Sequence, residues 1–197
     1  MMKDMKTKTL TKIGILGAVS FILMMIEFPL PFAPAFYKLD FSEVAVLMGG
    51  FALGPAAAVW IEALKVALNL LFQGSITAGV GEIANFLIGI SFVVPASMIY
   101  AKHKTKKNAM KGLIHGTIWM AVMGFVLNYF VLLPAYSYFL KMPIEALVGM
   151  GAAIIPAIDT KFKFVLLATT PFNLFKGIVV SVVTLYLYKH ISPLLHR

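Results

Sequence analysis

LLATTPFNLFKGIVVS, residues 166–181, lies inside a longer apolar run covering roughly 163–189. A run of that length can cross a bilayer, for which about 20 apolar residues suffice. Yet it carries a proline, two threonines, an asparagine and a lysine. Asn173 and Lys176 are three apart, so on a helix they project from one face. Lys176 lies about 13 residues from either end of the run, about 20 Å at 1.5 Å per residue, too deep for its ammonium to reach an interface easily. Pro171 frees a backbone carbonyl nearby, which is tolerated only beside protein or a cavity. The pattern predicts a spanning helix with a ligand site on its inward face. The plain alternative is a lysine held by Glu62 or another carboxylate within a span.

The rest of the chain fits that setting. Of its 197 residues, 60% are hydrophobic and 13% are charged, against about 25% charged in a soluble domain. The apolar runs are continuous and lack the in-out alternation of a barrel wall. We therefore expect an all-α integral membrane protein: a compact bundle of six transmembrane helices with an outward-facing ligand pocket. The spans are roughly 10–28, 42–53, 56–72, 82–101, 112–134 and 163–189, forming a single membrane domain over 1–197. GGFALGP at 49–55 separates the second span from the third, as a tight helical hairpin or one bent element. The fifth span is expected to stop at Pro134, leaving 135–162 as the longest connection, with a short helix in MPIEALVGMGAA.

The basic residues set the orientation. Lys3, Lys6, Lys8 and Lys12 precede the first span; Lys102, Lys104, Lys106, Lys107 and Lys111 fall between the fourth and fifth; Lys189 and Arg197 follow the sixth. The other side holds only Lys38, Lys141, Lys161 and Lys163. Positive residues stay inside, so both termini are expected to be cytoplasmic in a multi-pass plasma-membrane protein. The net charge of +9 is then topology, and nucleic acid is not an expected partner. The start resembles a secretory leader, with a basic head and a small-x-small Ala33–Ala35. That site would fall unusually late and has Pro34 at its centre, so an uncleaved first span is expected.

Absent chemistry narrows the function. There is no cysteine, hence no disulfide, thiolate metal site or cysteine nucleophile. No phosphate-binding G-x-x-x-x-G-K-[ST] and no H-E-x-x-H occurs. His103, His115, His190 and His196 are scattered. Neither an enzyme nor a metal or cofactor is expected.

Other polar residues lie where lipid would be. Glu62 and Lys65 share a helix face and can neutralise each other, or serve an ion-coupling role. In GVGEIANFL, Gly79 and Gly81 open a helix beside Glu82 and Asn85, and its first N–H groups would be free for a ligand oxygen or simply capped in water. Asn128 sits near the outer end of the fifth span, where an interhelical hydrogen bond is the commoner use. Phe32, Phe36, Tyr37, Phe86, Tyr129, Phe130 and Phe172 could stack on a flat ring, or pack as interfacial aromatics do. FPLPFAPAFYKLDFSE, residues 28–43, places prolines, aromatics and three charges in the first outer loop.

KLDFSE after that proline-rich loop, GEIANFLIG opening the fourth span and FKFVLLATTPFNLFKGIV in the sixth resemble the riboflavin-binding S components of energy-coupling factor (ECF) transporters. The resemblance covers essentially the whole chain. It implies high-affinity binding of riboflavin from outside, with uptake driven by a T component and two ATPases. It implies that Asn128, Asn173 and Lys176 contact the flavin's pyrimidine edge. Asp40 and Glu43, with Leu39 between Lys38 and Asp40, would stand at the pocket mouth, and Gly81, Glu82 and Asn85 would join the substrate site. Gly14 and Ala18 match, loosely, the small-xxx-small motif through which the first span packs on the T component. The rival readings are an S component for another vitamin, or a small ion-coupled transporter using Glu62, Lys65 and Glu82. Lys176 argues against a cationic vitamin such as thiamine.

Overall fold

A computed structural model describes residues 7–34 and 36–195, with side chains described to residue 188. The basic head at Lys3 and Lys6, Ala35 of the leader-like site, and the side chains of Lys189, His190, His196 and Arg197 lie outside the described residues.

The chain opens with α1 (Thr7–Met25), then a two-residue antiparallel ribbon, β1 (Phe28–Pro29) with β2 (Lys38–Leu39), in the register Phe28 to Leu39 and Pro29 to Lys38. Helices α2 (Ser42–Leu53), α3 (Pro55–Gln73), α4 (Val80–Lys102) and α5 (Lys106–Leu127) follow. A π-helical segment, Asn128–Leu132, joins α5 to α6 (Leu133–Phe139). After α7 (Ile144–Ala152) come α8 (Lys161–Phe164), a second π-helical segment (Val165–Thr169) and α9 (Thr170–Leu195).

Five of these stretches are long and apolar enough to cross a membrane: Thr7–Met25, Pro55–Gln73, Val80–Lys102, Lys106–Phe139 and Lys161–Tyr188; α2 is a shorter apolar helix. The protein is thus a multi-pass helical membrane protein. Single residues make its sharpest joints. Gly54 alone separates α2 from α3, with φ +98° and its N–H donated to Gly50 O. Only glycine accepts that φ without strain, and Pro55 then starts α3 at a position that needs no N–H. The two elements are therefore separate helices.

Two expected boundaries move. The fifth span does not end at Pro134 but runs as one helical stretch of 34 residues to Phe139. Pro134 stands in the first turn of α6, directly after a π turn, where its missing N–H costs little. Pro171 follows the second π segment in the same way, and the Thr170 hydroxyl donates to Val165 O at 2.9 Å. The start of α5 also comes earlier than expected, at Lys106, because Thr105 accepts from Asn108 N and caps a polar first turn.

Close approach is bought by small residues. On α5, Gly112 and Gly116 face the backbone carbonyls of Ala96 and Phe92 on α4, where a Cβ would collide. This small-xxx-small seam lets two helices pack backbone to backbone, which matters where lipid supplies no hydrophobic drive between helices. One core cluster gathers Leu47, Phe51, Phe92, Tyr100, Leu113, Met120 and Val180. A second gathers Leu133, Leu147, Ile158, Phe164 and Val165. Along both α5–α6 and α8–α9, Asn128, Asn173 and Lys176 fall between the two clusters.

Candidate functional site

Between those clusters lies a cavity of about 470 Å³, within the range of small-molecule sites. Among its lining residues are Asp40, Glu43, Gly81, Glu82, Asn85, Asn128, Asn173 and Lys176. Residues scattered from 40 to 176 in sequence therefore share one chamber. Leu39 is buried but outside the lining. Alternation along the extended segment explains the difference: Lys38 and Asp40 face the cavity, and Leu39 points the other way.

The floor is a chain of buried charges. Lys176 Nζ stands 2.8 Å from Asp40 Oδ2 and 3.2 Å from Glu43 Oε2. Glu43 Oε1 is 3.4 Å from Lys65 Nζ, which lies 2.6 Å from Glu62 Oε1. The Ser42 hydroxyl donates to Glu43 Oε2 at 3.1 Å and accepts from Lys65 Nζ at 3.2 Å. Asp40 Oδ1 also accepts from Ser42 N at 2.8 Å, tying the start of α2 to the same cluster. Asp40, Glu43, Glu62, Lys65 and Lys176 are each no more than 5% exposed. An unpaired charge at such depth costs several kcal/mol, so the pairing is a condition of folding as well as a feature of the site.

This corrects one expectation. Asp40 and Glu43 are not at an open mouth; they are buried partners of Lys176. Their hold on Lys176 was invisible because 136 residues separate Asp40 from Lys176. The Glu62–Lys65 pair, by contrast, forms as the helix spacing suggested, and neither residue lines the cavity. Glu62 is the odd member: Lys65 sits near it but off the hydrogen-bonding direction, and both its carboxylate oxygens lack a donor among the described residues. Gly89 of α4 leaves room for that carboxylate.

The opening turn of α4 also differs from expectation. Most of its amides are not free. Gly79 N donates to Ser75 Oγ at 2.8 Å and Gly81 N to Thr77 Oγ1 at 3.0 Å. Val80 N and Ile83 N donate to Thr77 O and Gly79 O. Glu82 accepts from Ser75 and Thr77 at 2.8 and 3.2 Å. The signal was present in SIT at 75–77, since serine and threonine just before a helix cap it. Asn85 Oδ1, one turn on, is buried without a donor among the described residues.

One wall is neutral. Asn128 opens the first π segment, and Asn173 lies four residues beyond the end of the second. Asn128 Nδ2 donates to Gly124 O at 2.8 Å, and its Oδ1 accepts from the Tyr37 hydroxyl at 3.1 Å. Tyr37 is also 2.7 Å from Thr169 Oγ1. Its ring stacks on Phe172 at 5.1 Å, and burial pushes its phenol pKa up, so it stays protonated as a donor. A Cβ at position 124 would strike the Asn173 amide, so Gly124 makes the room that amide occupies. Of the expected aromatics, Phe36, Tyr37 and Phe172 line the cavity. Phe32 packs edge-on against Phe175, Tyr129 packs on Phe125, and Phe130 is largely exposed. Phe86 lies outside the lining.

A second hollow, about 310 Å³, lies between α5 and α9 and is walled by Ile118, Val122, Phe125, Leu166 and Leu174. Its one hydroxyl, on Thr170, is engaged with Val165 O. It lacks the convergent polar groups that would orient a small ligand. On α1, Gly14 has nothing within 4 Å of where a Cβ would stand and Ala18 is exposed, whereas Gly17 between them packs on Leu64.

Comparison with known proteins agrees with this architecture. A family described as ECF transporter, substrate-specific component, matches residues 8–188. The riboflavin transporter RibU of Staphylococcus aureus (strain TCH60) is 37% identical over 193 residues, covering 98% of this chain and 94% of the relative. The riboflavin transporter FmnP of Bacillus subtilis (strain 168) is 33% identical over 190 residues, covering 96% and 94%. A solved structure of the S component of a bacterial ECF transporter superposes with TM-score 0.73 at 38% identity, covering 96% of this chain and 98% of that one.

Proposed function

The chain belongs to the substrate-specific components of ECF transporters, and from that premise we propose that it binds riboflavin in the 470 Å³ cavity and serves its uptake. It is a binding and transport component rather than an enzyme. The observation that carries the reading is the conjunction of Asn173, Lys176 and Asn128 with a stacked aromatic wall in one buried chamber. A flavin has a flat apolar ring, a pyrimidine edge of alternating C=O and N–H groups, and a polyhydroxylated chain. The amides suit the edge, since each can donate and accept. The Lys176 ammonium suits a carbonyl. Phe172 and Tyr37 suit the ring, and Asp40, Glu43 and Glu82 can accept from hydroxyls. A cavity that hydrogen-bonds each of these groups rejects analogues lacking them, because buried partners would go unpaired.

The chain carries no phosphate-binding loop of its own, so transport draws on partners: a T component and two ATPases. The bare face of α1 at Gly14 and Ala18 is the proposed contact with the T component, by close helix approach. Both termini are assigned to the cytoplasm on the distribution of lysines. The ion-coupled alternative loses its support, since Glu62 and Lys65 neutralise each other away from the cavity and Glu82 is tied to Ser75 and Thr77.

The test is direct. Protein purified in detergent should carry yellow flavin absorbance or, once stripped, quench the fluorescence of added riboflavin at one equivalent. Absence of both overturns the reading.

A further inference from the structure

We propose that Tyr37 is a positioning residue: together with Gly124 O it holds the Asn128 amide in one orientation, so that this point of the cavity presents an N–H donor to the ligand. The proposal rests on riboflavin occupying this cavity.

The hydrogen bonds allow one arrangement. Gly124 O can only accept, so the Asn128 side-chain group facing it at 2.8 Å must be Nδ2. Oδ1 is thereby turned to Tyr37, whose hydroxyl donates to it at 3.1 Å. The phenol has one proton, now committed to Asn128. The 2.7 Å contact with Thr169 Oγ1 must then be donated by the threonine. The result is a directed chain, Thr169 to Tyr37 to Asn128, in which each O–H has one destination. One lone pair of Asn128 Oδ1 is used and one N–H of Nδ2 is used. The remaining N–H is the donor left for a ligand acceptor.

Asn173 lacks any such clamp. Its amide has no hydrogen-bond partner among the described residues, although it is 3% exposed and lines the cavity. It can turn to offer carbonyl or N–H as the ligand demands. The two asparagines therefore play different parts: Asn173 adapts and Asn128 selects. Without the Tyr37 hydroxyl, Asn128 Oδ1 would lose its donor, and the amide would be held by one bond, to Gly124 O, instead of two.

The same chain spans the two π segments. Asn128 begins one and Thr169 ends the other, and Tyr37 comes from the loop between β1 and β2. Ring stacking on Phe172 sets the reach of the phenol and does not depend on its hydroxyl. Tyr37→Phe thus removes one of the two orienting bonds and leaves the ring in place.

The experiment is a riboflavin titration of the full chain in detergent, with wild type, Y37F, N128A and the double variant. Y37F should weaken binding about 5- to 10-fold. In the N128A background it should cost less than about twofold, since its target is gone. Wild type should also bind either 2-thioriboflavin or 4-thioriboflavin, whose sulfur is a poor acceptor, more weakly than riboflavin. That discrimination should shrink in Y37F. Equal losses from Y37F with and without Asn128, or undiminished discrimination, would overturn the proposal. If Y37F is not monodisperse, N128A alone decides: retained discrimination against both thio analogues overturns it, and lost discrimination supports it. Failure of wild type to bind riboflavin would instead sink the functional reading on which this one rests.

Discussion

The floor and the wall of the cavity are built on opposite principles. The floor is a chain of alternating charge, Asp40–Lys176–Glu43–Lys65–Glu62, in which each ammonium lies between two carboxylates. The wall is neutral, with Tyr37, Asn128 and Thr169 joined by hydrogen bonds and Asn173 left unengaged. Removing one member of a buried ion pair strands a charge and costs about 3–5 kcal/mol. Removing a neutral hydrogen bond costs about 1 kcal/mol, somewhat more if a buried group is left without a partner. The floor should therefore answer to stability and the wall to ligand selection.

Lys176→Met should break the floor hardest. It strands Asp40 and leaves Glu43 to share Lys65 with Glu62, and thermal unfolding in detergent should fall by about 3–5 kcal/mol with riboflavin binding abolished. Adding Asp40→Asn should recover part of the stability and none of the binding. If Lys176→Met keeps its melting temperature, Lys176 is not what holds the two carboxylates.

The two ends of the Glu62–Lys65 pair should respond unequally. The chain holds three carboxylates and two ammoniums, and the surplus lies at Glu62, whose oxygens lack donors. Lys65→Met leaves three carboxylates to one ammonium and should cost about 3–5 kcal/mol. Glu62→Gln balances the chain and should cost less than about 1 kcal/mol, because it strands no charge. Equal losses on melting would mean that the chain works as a single block.

On the wall, Asn173→Ala should weaken riboflavin binding about 10- to 30-fold while the melting temperature stays within about a degree of wild type, because the amide makes no hydrogen bond to another described residue. A matching loss of stability would place Asn173 with the floor. At the far end of the scale, the exposed Lys163–Asp159 pair, at 2.5 Å, tests how far ion pairing matters away from the floor. Lys163→Met should leave both melting and binding unchanged.

The sequence carried the spanning helices clearly, because long apolar runs interrupted by glycine, proline and lysine clusters have few other readings. It also carried the local part of the site. Asn173 with Lys176 and Glu62 with Lys65 follow from helical spacing alone. What it could not carry was long-range choice. Nothing local says that Lys176 pairs with Asp40 and Glu43 rather than Glu62, because the loop and α9 meet only in the fold. Other signals are local and legible. Ser75 and Thr77 mark capped amides before α4, and Gly112 with Gly116 marks the α4–α5 seam. Pro134 reads as a stop, yet like Pro171 it follows a π segment that lets the helix run on.

Those two π segments have a consequence in angular phase. Each places one more residue in a turn than an α-helix would, and one residue of α-helix is worth about 100° of rotation. Were all five residues of Val165–Thr169 wound as α-helix, the face bearing Asn173 and Lys176 would turn by about that angle relative to Phe164. The amide and the ammonium would leave the cavity while every side chain in the helix stayed the same. The site is thus set by how that one turn is wound as much as by the identity of its residues.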